Sequence, residues 1–268
     1  MIILEPLGGL ANRIRVIATA ISLKKQLNQP LSVVWNENHE LNCAFHLLFE
    51  PIHEFKIVSK KRVYRNICSS VQPDLKCRIK AALKNRLTGV DYVITERDFP
   101  MDNITERLLG YGDIYIQTCQ CLNDNQENFK LFKPAVEVAY KIDNALQKFS
   151  PNTIGIQIRR TDNEMSIINS PIELFISQMH KEVAKDKSVT FFLTTDDQDV
   201  ERQVINIFGE YIVSHAKELS RNTVRGMQDA ATDLFTLSRT QKILGSYWSS
   251  FAEVAAWMGN IPLEVVKK

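Results

Sequence analysis

The 268-residue sequence is short of several things at once, and each shortage removes a class of function. It has no surplus of charge: 33 Lys and Arg stand against 31 Asp and Glu, leaving +2. A protein that grips nucleic acid or an anionic membrane over a broad face needs a basic excess, so only a local basic pocket stays open. Nothing approaches the ~18 uncharged apolar residues of a membrane helix, so no transmembrane segment is expected. No basic segment leading into an apolar stretch opens the chain, and the protein is therefore expected in the cytoplasm. The five cysteines, Cys43, Cys68, Cys77, Cys119 and Cys121, are odd in number and irregular in spacing. That argues against a disulfide framework and for free thiols. Cys119-Gln-Cys121 has neither the two-residue spacer of a redox motif nor a second pair for zinc, and reads as structural. There is no repeat of fixed period and no low-complexity tract.

What is present is a globular composition, 44% apolar and 24% charged, sufficient for one large domain or two of ordinary size. The first forty residues read as a β-turn-α-β unit. Ile2–Pro6 is an apolar strand, Gly8-Gly9 a turn, 14–27 a helix with apolar residues at helical spacing, and 31–35 a second strand. Asn28-Gln29-Pro30 supplies the break between them. A helix is expected over 75–87, and strands at Tyr92–Thr95 and Ile114–Thr118. A further helix over 134–149 carries Pro at its first turn. Ser150-Pro151-Asn152 then reads as a linker, dividing the chain into domains 1–150 and 151–268. Beyond it, strands at Thr153–Ile158, 189–194, 211–213, 242–244 and Leu263–Val266 alternate with helices at 171–185, 199–208, 226–238 and 251–258. Such alternation implies right-handed crossovers and a parallel sheet, with ligands at the carboxyl ends of the strands.

Four loops at those ends carry chemistry. In Pro6-Leu7-Gly8-Gly9-Leu10-Ala11-Asn12-Arg13 the glycines admit close backbone approach before a helix N-terminus, with Asn12 and Arg13 the functional pair. The loop lacks both the G-x-G-x-x-G dinucleotide fingerprint and the P-loop pattern, and a plain tight turn is the competing reading. The second is Gln157-Ile158-Arg159-Arg160-Thr161-Asp162. Strand side chains alternate, so the two arginines point different ways, one toward an anion such as a diphosphate and the other toward a carboxylate such as Asp162. A surface ion pair is the bland alternative. In Thr194-Thr195-Asp196-Asp197 one acid serves a ligand or caps the following helix; a third metal ligand at recognisable spacing is missing, so no metal site is expected. Asp233 lies among apolar neighbours, where a carboxylate needs a partner, such as the bidentate edge of guanine. Ser249 and Ser250 sit where hydroxyls and backbone N–H groups can hold phosphate oxygens or cap a helix.

In this order, G-G-L-A-N-R near the start, R-R-T-D at Arg159–Asp162, T-D-D at 195–197, and Asp233 through Ser249-Ser250, the motifs resemble the fucosyltransferase superfamily of nodulation, α-1,6- and protein O-fucosyltransferases. The resemblance covers the C-terminal half well and the N-terminal half at its first loop. It implies an α/β, GT-B-like fold: two Rossmann-like domains with parallel sheets facing a cleft, 1–150 on the acceptor side and 151–268 holding the nucleotide sugar. It further implies an inverting transfer from a GDP-fucose donor to a glycan acceptor, with no cofactor and no essential metal. By resemblance, Arg159 neutralises the β-phosphate, Ser250 contacts phosphate and Asp233 reads guanine, with Asp196, Ser249, Gly9, Asn12 and Arg13 completing the donor site. Two departures stand out. The histidine common two residues before the arginine is Gln157, and the Lys that follows R-R-T-D in α-1,6 members is Asn163. The catalytic base is therefore open, with Glu164 the first candidate and Asp162 the second. A transferase for another nucleotide sugar and a sugar-nucleotide binder without turnover are the alternatives; a Rossmann oxidoreductase is disfavoured by the missing fingerprint. The basic residues of 62–86 read either as a contact for an anionic acceptor or as a solvated helix face.

Overall fold

The computed structural model describes residues 1–59 and 89–268; the helix expected over 75–87 and the basic stretch 62–86 lie outside them. The chain divides into two units. The first comprises Met1–Phe45 with Pro51–Phe132, the second His46–Glu50 with Lys133–Lys268.

In the first unit, β1 (Ile2–Pro6), β2 (Leu31–Val34), β3 (Lys56–Val58), β4 (Tyr92–Thr95) and β5 (Ile114–Thr118) form a parallel sheet in the order β3-β2-β1-β5-β4. The central β1 is buried along its whole length, as its near-continuous apolar run dictates. Helix α1 (Leu10–Leu27) makes the β1-to-β2 crossover. It ends at Asn28, whose left-handed backbone (φ 50°) closes the helix as a terminating Asn or Gly does. A short helix α2 (Ile104–Leu108) precedes β5.

The second unit opens with α3 (Val136–Leu146), followed by β6 (Thr153–Ile158), α4 (Glu164–Asn169), α5 (Ile172–Lys185) and β7 (Thr190–Thr195). Then come α6 (Gln198–Phe208), β8 (Ile212–Val213), α7 (Val224–Leu237), β9 (Ile243–Ser246), α8 (Ser250–Gly259) and β10 (Leu263–Val266). Its parallel sheet runs β10-β9-β6-β7-β8. Ile154, Ile156 and Ile158 face one side and join Phe175 and Met179 of α5 with Val204 and Phe208 of α6 in the core. On the other face a Cβ on Gly155 would meet Leu237 of α7, and one on Gly245 would meet Ala252 of α8. The sheet is thus covered on both sides, and β6 and β7 are buried along nearly their whole length, with Thr153, Gln157, Thr194 and Thr195 buried among apolar residues.

The division falls ahead of α3 and not at Ser150-Pro151-Asn152. The amphipathic face of α3, Val138, Ile142 and Ala145, is buried, and the helix packs on α7, with Lys141 Nζ 2.9 Å from Asp229 Oδ1. A proline-marked turn is a boundary in sequence, but the helix before it buries its apolar stripe in the second unit.

Candidate functional site

In the second unit the sheet grows outward in both directions from the β6–β9 pair. Loops leaving two such strands diverge to opposite faces and open a crevice at their carboxyl ends, the usual ligand position in doubly wound sheets. The loop after β6 carries Arg159; β9 ends at Ser246, and the loop after it runs from Tyr247 to Ser249. The Arg159 backbone N–H donates to Ser246 Oγ at 2.9 Å and so stitches the two loops together.

The Arg159 guanidinium lies between two carboxylates, pairing through one nitrogen with Asp196 and through the other with Asp162. Asp196 is the hub. Its Oδ1 accepts from the Arg160 N–H at 2.8 Å, and its Oδ2 accepts from Thr161 Oγ1 at 2.6 Å. Asp197, not Asp196, caps α6, accepting from the N–H groups of Asp199 (2.8 Å) and Val200 (3.1 Å). Of the adjacent acids, Asp197 takes the capping role, while Asp196 binds Arg159, Arg160 and Thr161. Arg160 turns inward, donating to the Arg159 and Ser170 carbonyls at 2.9 Å each. Burial draws its guanidinium below the ordinary value despite the nearby Asp196. Both arginines lie just beyond β6, and the carboxylate expected for the second of them is taken by the first: Arg159 pairs with Asp162, while backbone carbonyls hold Arg160.

A second guanidinium enters from a loop the sequence did not single out. Arg221 Nη1 lies 3.1 Å from Asp162 Oδ2, making a chain Arg221–Asp162–Arg159–Asp196. Burial pushes the Asp162 carboxyl up, but the two guanidiniums outweigh it and hold the group below the usual carboxylate range. The Arg221 loop is fixed by the start of α7. Thr223 caps that helix, its Oγ1 accepting from the Gly226 N–H at 3.1 Å. Gly226 lies so close to the Ser220 carbonyl that an added Cβ would stand 2.1 Å from its oxygen. The signal available in the sequence was T-V-R-G, a capping threonine three residues before a helix glycine.

Ser249 takes the N-cap position of α8 without a side-chain cap bond, so the first-turn N–H groups of the helix are left for another acceptor. Ser250 begins the helix. The preceding residue, Trp248, has a left-handed backbone (φ 58°) and is 66% exposed. Short α4 packs beside this loop: Asn163 Nδ2 donates to the Trp248 carbonyl (3.0 Å) and Ser166 Oγ to the Tyr247 carbonyl (2.6 Å). Asn163 also caps α4, its Oδ1 accepting from the Ser166 N–H; this short helix was not expected from the sequence, and the capping asparagine is the sign the sequence carried of it. Glu164, the first residue of α4, is exposed and makes no hydrogen bond or ion pair among the described residues. Among the described residues no three His, Cys, Asp or Glu side chains group to hold a metal ion.

No family model and no curated protein matches the sequence. Solved structures do match. NodZ alpha-1,6-fucosyltransferase soaked with GDP-fucose superposes with a TM-score of 0.65 at 20% identity, over 96% of this chain and 92% of that one. POFUT1 in complex with GDP gives 0.61 at 12% identity, over 99% and 98%. Fucosyltransferase NodZ from Bradyrhizobium gives 0.63 at 19% identity, over 95% and 92%. The chain has a fucosyltransferase-like, GT-B-like α/β fold.

In this fucosyltransferase-like fold the remaining expected residues have distinct fates. Asp233 on α7 is buried, and the partner it needed is supplied by the protein. One oxygen accepts from His215 Nε2 at 2.7 Å, the other from Lys217 Nζ at 3.0 Å. Burial raises the Asp233 carboxyl, yet Lys217 and the His215 bond hold it below its ordinary value. Gln157 on β6 is buried with its Oε1 lacking any hydrogen-bond partner among the described residues.

The first unit has its own divergence point, between β1 and β5. Gly8 adopts φ 80°, open to glycine at little cost, and its N–H donates to Glu40 Oε2 at 3.1 Å. Gly9 and Asn12 are partly exposed at this turn. Arg13 does not stand at a cleft mouth; it is fully buried. It donates to the Gly8 carbonyl (2.8 Å), the Asn36 carbonyl (2.5 Å) and Asn38 Oδ1 (3.0 Å), and lies 5.0 Å from the centroid of Trp35. Burial lowers its pKa to about 10. Arg13 is therefore a clasp that shapes the glycine turn. After β4, Glu96 accepts from Thr118 Oγ1 (2.7 Å), the Cys119 N–H (2.8 Å) and Gln120 Nε2 (2.6 Å). Burial and Glu96 push the Cys119 thiol up to about 11, away from reactive thiolate chemistry.

Proposed function

We propose that the protein is a glycosyltransferase that moves fucose from GDP-fucose to a glycan with inversion, without a cofactor or an essential metal ion. The observation that carries this reading is the Arg159 cluster: the Arg159 and Arg221 guanidiniums meet on Asp162, and the Arg159 N–H bonds Ser246, three residues ahead of the α8 N-cap. The two guanidiniums and a helix start without a side-chain cap are sources of positive potential, and the group they suit is a diphosphate. Charge builds on that diphosphate as the anomeric C–O bond breaks, so preoriented donors stabilise the departing group more than the bound donor. We assign Arg159, Ser249 and Ser250 to the phosphates, with Asp196 holding Arg159 in place. Asp233 acts at the nucleoside end through His215, which it orients, and the unpartnered Gln157 carbonyl oxygen offers an acceptor. Gly9 and Asn12 belong to the acceptor-side unit, with Arg13 supporting their turn.

The acceptor hydroxyl attacks the anomeric carbon from the side opposite the phosphate and gives its proton to a carboxylate. Asp162, pinned between two guanidiniums, is a weak base. Glu164 has no competing partner among the described residues and is the carboxylate we assign. Incubation with GDP-fucose in EDTA tests the reading. Wild-type protein is expected to release GDP, slowly to water and faster to an accepted glycan. Arg159→Ala is expected to lose roughly 10²–10³ of that rate. Equal release by both proteins contradicts the assignment.

A further inference from the structure

Five non-glycine residues among those described have a left-handed backbone: Asn28, Asn103, Thr161, Trp248 and Asn260. Asparagine tolerates that region well, and at Asn28 and Asn260 it ends a helix. The other two are a β-branched and a bulky aromatic residue, for which the conformation is a genuine outlier. Both border Arg159. Thr161 follows it by two residues, and Trp248 lies two residues beyond Ser246, whose hydroxyl accepts the Arg159 N–H. Strain that surrounding structure maintains at a site points to use. Trp248 carries a second cost as well, since its indole is 66% exposed. A glycine would make the same turn without either burden. Asn163 holds the strained residue through its carbonyl at 3.0 Å, so the turn is enforced by the loop that bears Arg159.

The ends of a nucleotide-sugar diphosphate are a base and a sugar, and the strand order separates them. His215, Asp233 and Lys217 present hydrogen-bonding groups beyond β7 and β8, on one flank of β6. Trp248 follows β9 on the other flank and immediately precedes the phosphate-facing turn of α8. We propose that Trp248 determines sugar specificity by carrying the C–H face of the donor's transferred hexose on its indole. A 6-deoxyhexose, with its methyl group and axial C–H bonds, offers an apolar face suited to an aromatic plane. The inference rests on the donor reading given above.

The test compares GDP-fucose with GDP, by calorimetry, on wild-type protein, Trp248→Gly and Trp248→Phe. Glycine relieves the backbone strain, so that variant is expected to melt no lower than wild type. It should bind GDP unchanged and GDP-fucose roughly 2- to 12-fold more weakly, with Phe restoring most of the loss. Equal weakening of both ligands, or no weakening of either, overturns the role of Trp248 and leaves the donor reading intact. Failure of wild-type protein to bind GDP or GDP-fucose overturns both together.

Discussion

Replacing Asp233 with Asn isolates the electrostatics of the second unit's interior. Lys217 is 2% exposed and its ammonium lies 3.0 Å from Asp233 Oδ2. Removing one partner of a buried pair costs about 3–5 kcal/mol, because the remaining charge stays desolvated. Glu201, 3.7 Å from the same ammonium, compensates in part, so the lower end, about 3 kcal/mol, is expected. The loss has a defined pH dependence. The Asp233 carboxyl titrates below its ordinary value in the folded protein, so the stability it contributes is fully present above ~3.9, the unfolded value. That stability is lost as pH falls from there through the folded value. Urea unfolding followed by circular dichroism should therefore give the full difference between wild type and variant at pH 7. The difference should contract steadily below about pH 4. A variant within 0.5 kcal/mol of wild type at pH 7, or a difference that widens in acid, refutes the buried-pair account and returns Asp233 to the role of a carboxylate awaiting a ligand.

Two other substitutions probe the diphosphate site. Asp162 is half exposed and occupies both guanidiniums, so an incoming diphosphate must displace it. Each surface pair contributes about 0.2–1 kcal/mol, and Asp162→Asn should tighten GDP binding by roughly 2- to 30-fold in calorimetry. Looser binding would mean that Asp162 aims Arg159 instead of competing for it. Gly226→Ala forces the Ser220 carbonyl away from 2.1 Å, costing about 1–3 kcal/mol of stability. Because Ser220 adjoins Arg221, GDP affinity should fall to the level of Arg221→Ala; an affinity equal to wild type removes Arg221 from the site.

The parts legible in sequence are those where one periodicity or one turn residue decides. The isoleucines of Thr153–Ile158, spaced two apart, mark a strand, and Asn28 stops α1 where its side chain tolerates the left-handed region. The two arginines beyond β6 have different partners, but the carboxylate expected for Arg160 is taken by Arg159. What stayed hidden depends on contacts distant in the chain. Arg13 has the sequence context of a ligand residue, yet Asn36 and Asn38, more than twenty residues away, take its guanidinium into the interior. Arg221 lies in a stretch without pattern and reaches the site only because α7 packs against its loop. The division of the chain ahead of α3 was hidden for the same reason, since the residue that pairs with Lys141 of α3, Asp229, lies 88 residues downstream.

The account stands on one claim, that Arg159 holds a nucleoside diphosphate without help from a metal ion. Titration calorimetry of GDP into wild-type protein and Arg159→Ala, both in EDTA, measures it directly. A saturable site in the wild type is expected, weakened roughly 10- to 150-fold in the variant, the worth of a hydrogen bond to a charged group. Binding that requires added Mg²⁺, or that survives the loss of Arg159 unchanged, contradicts it.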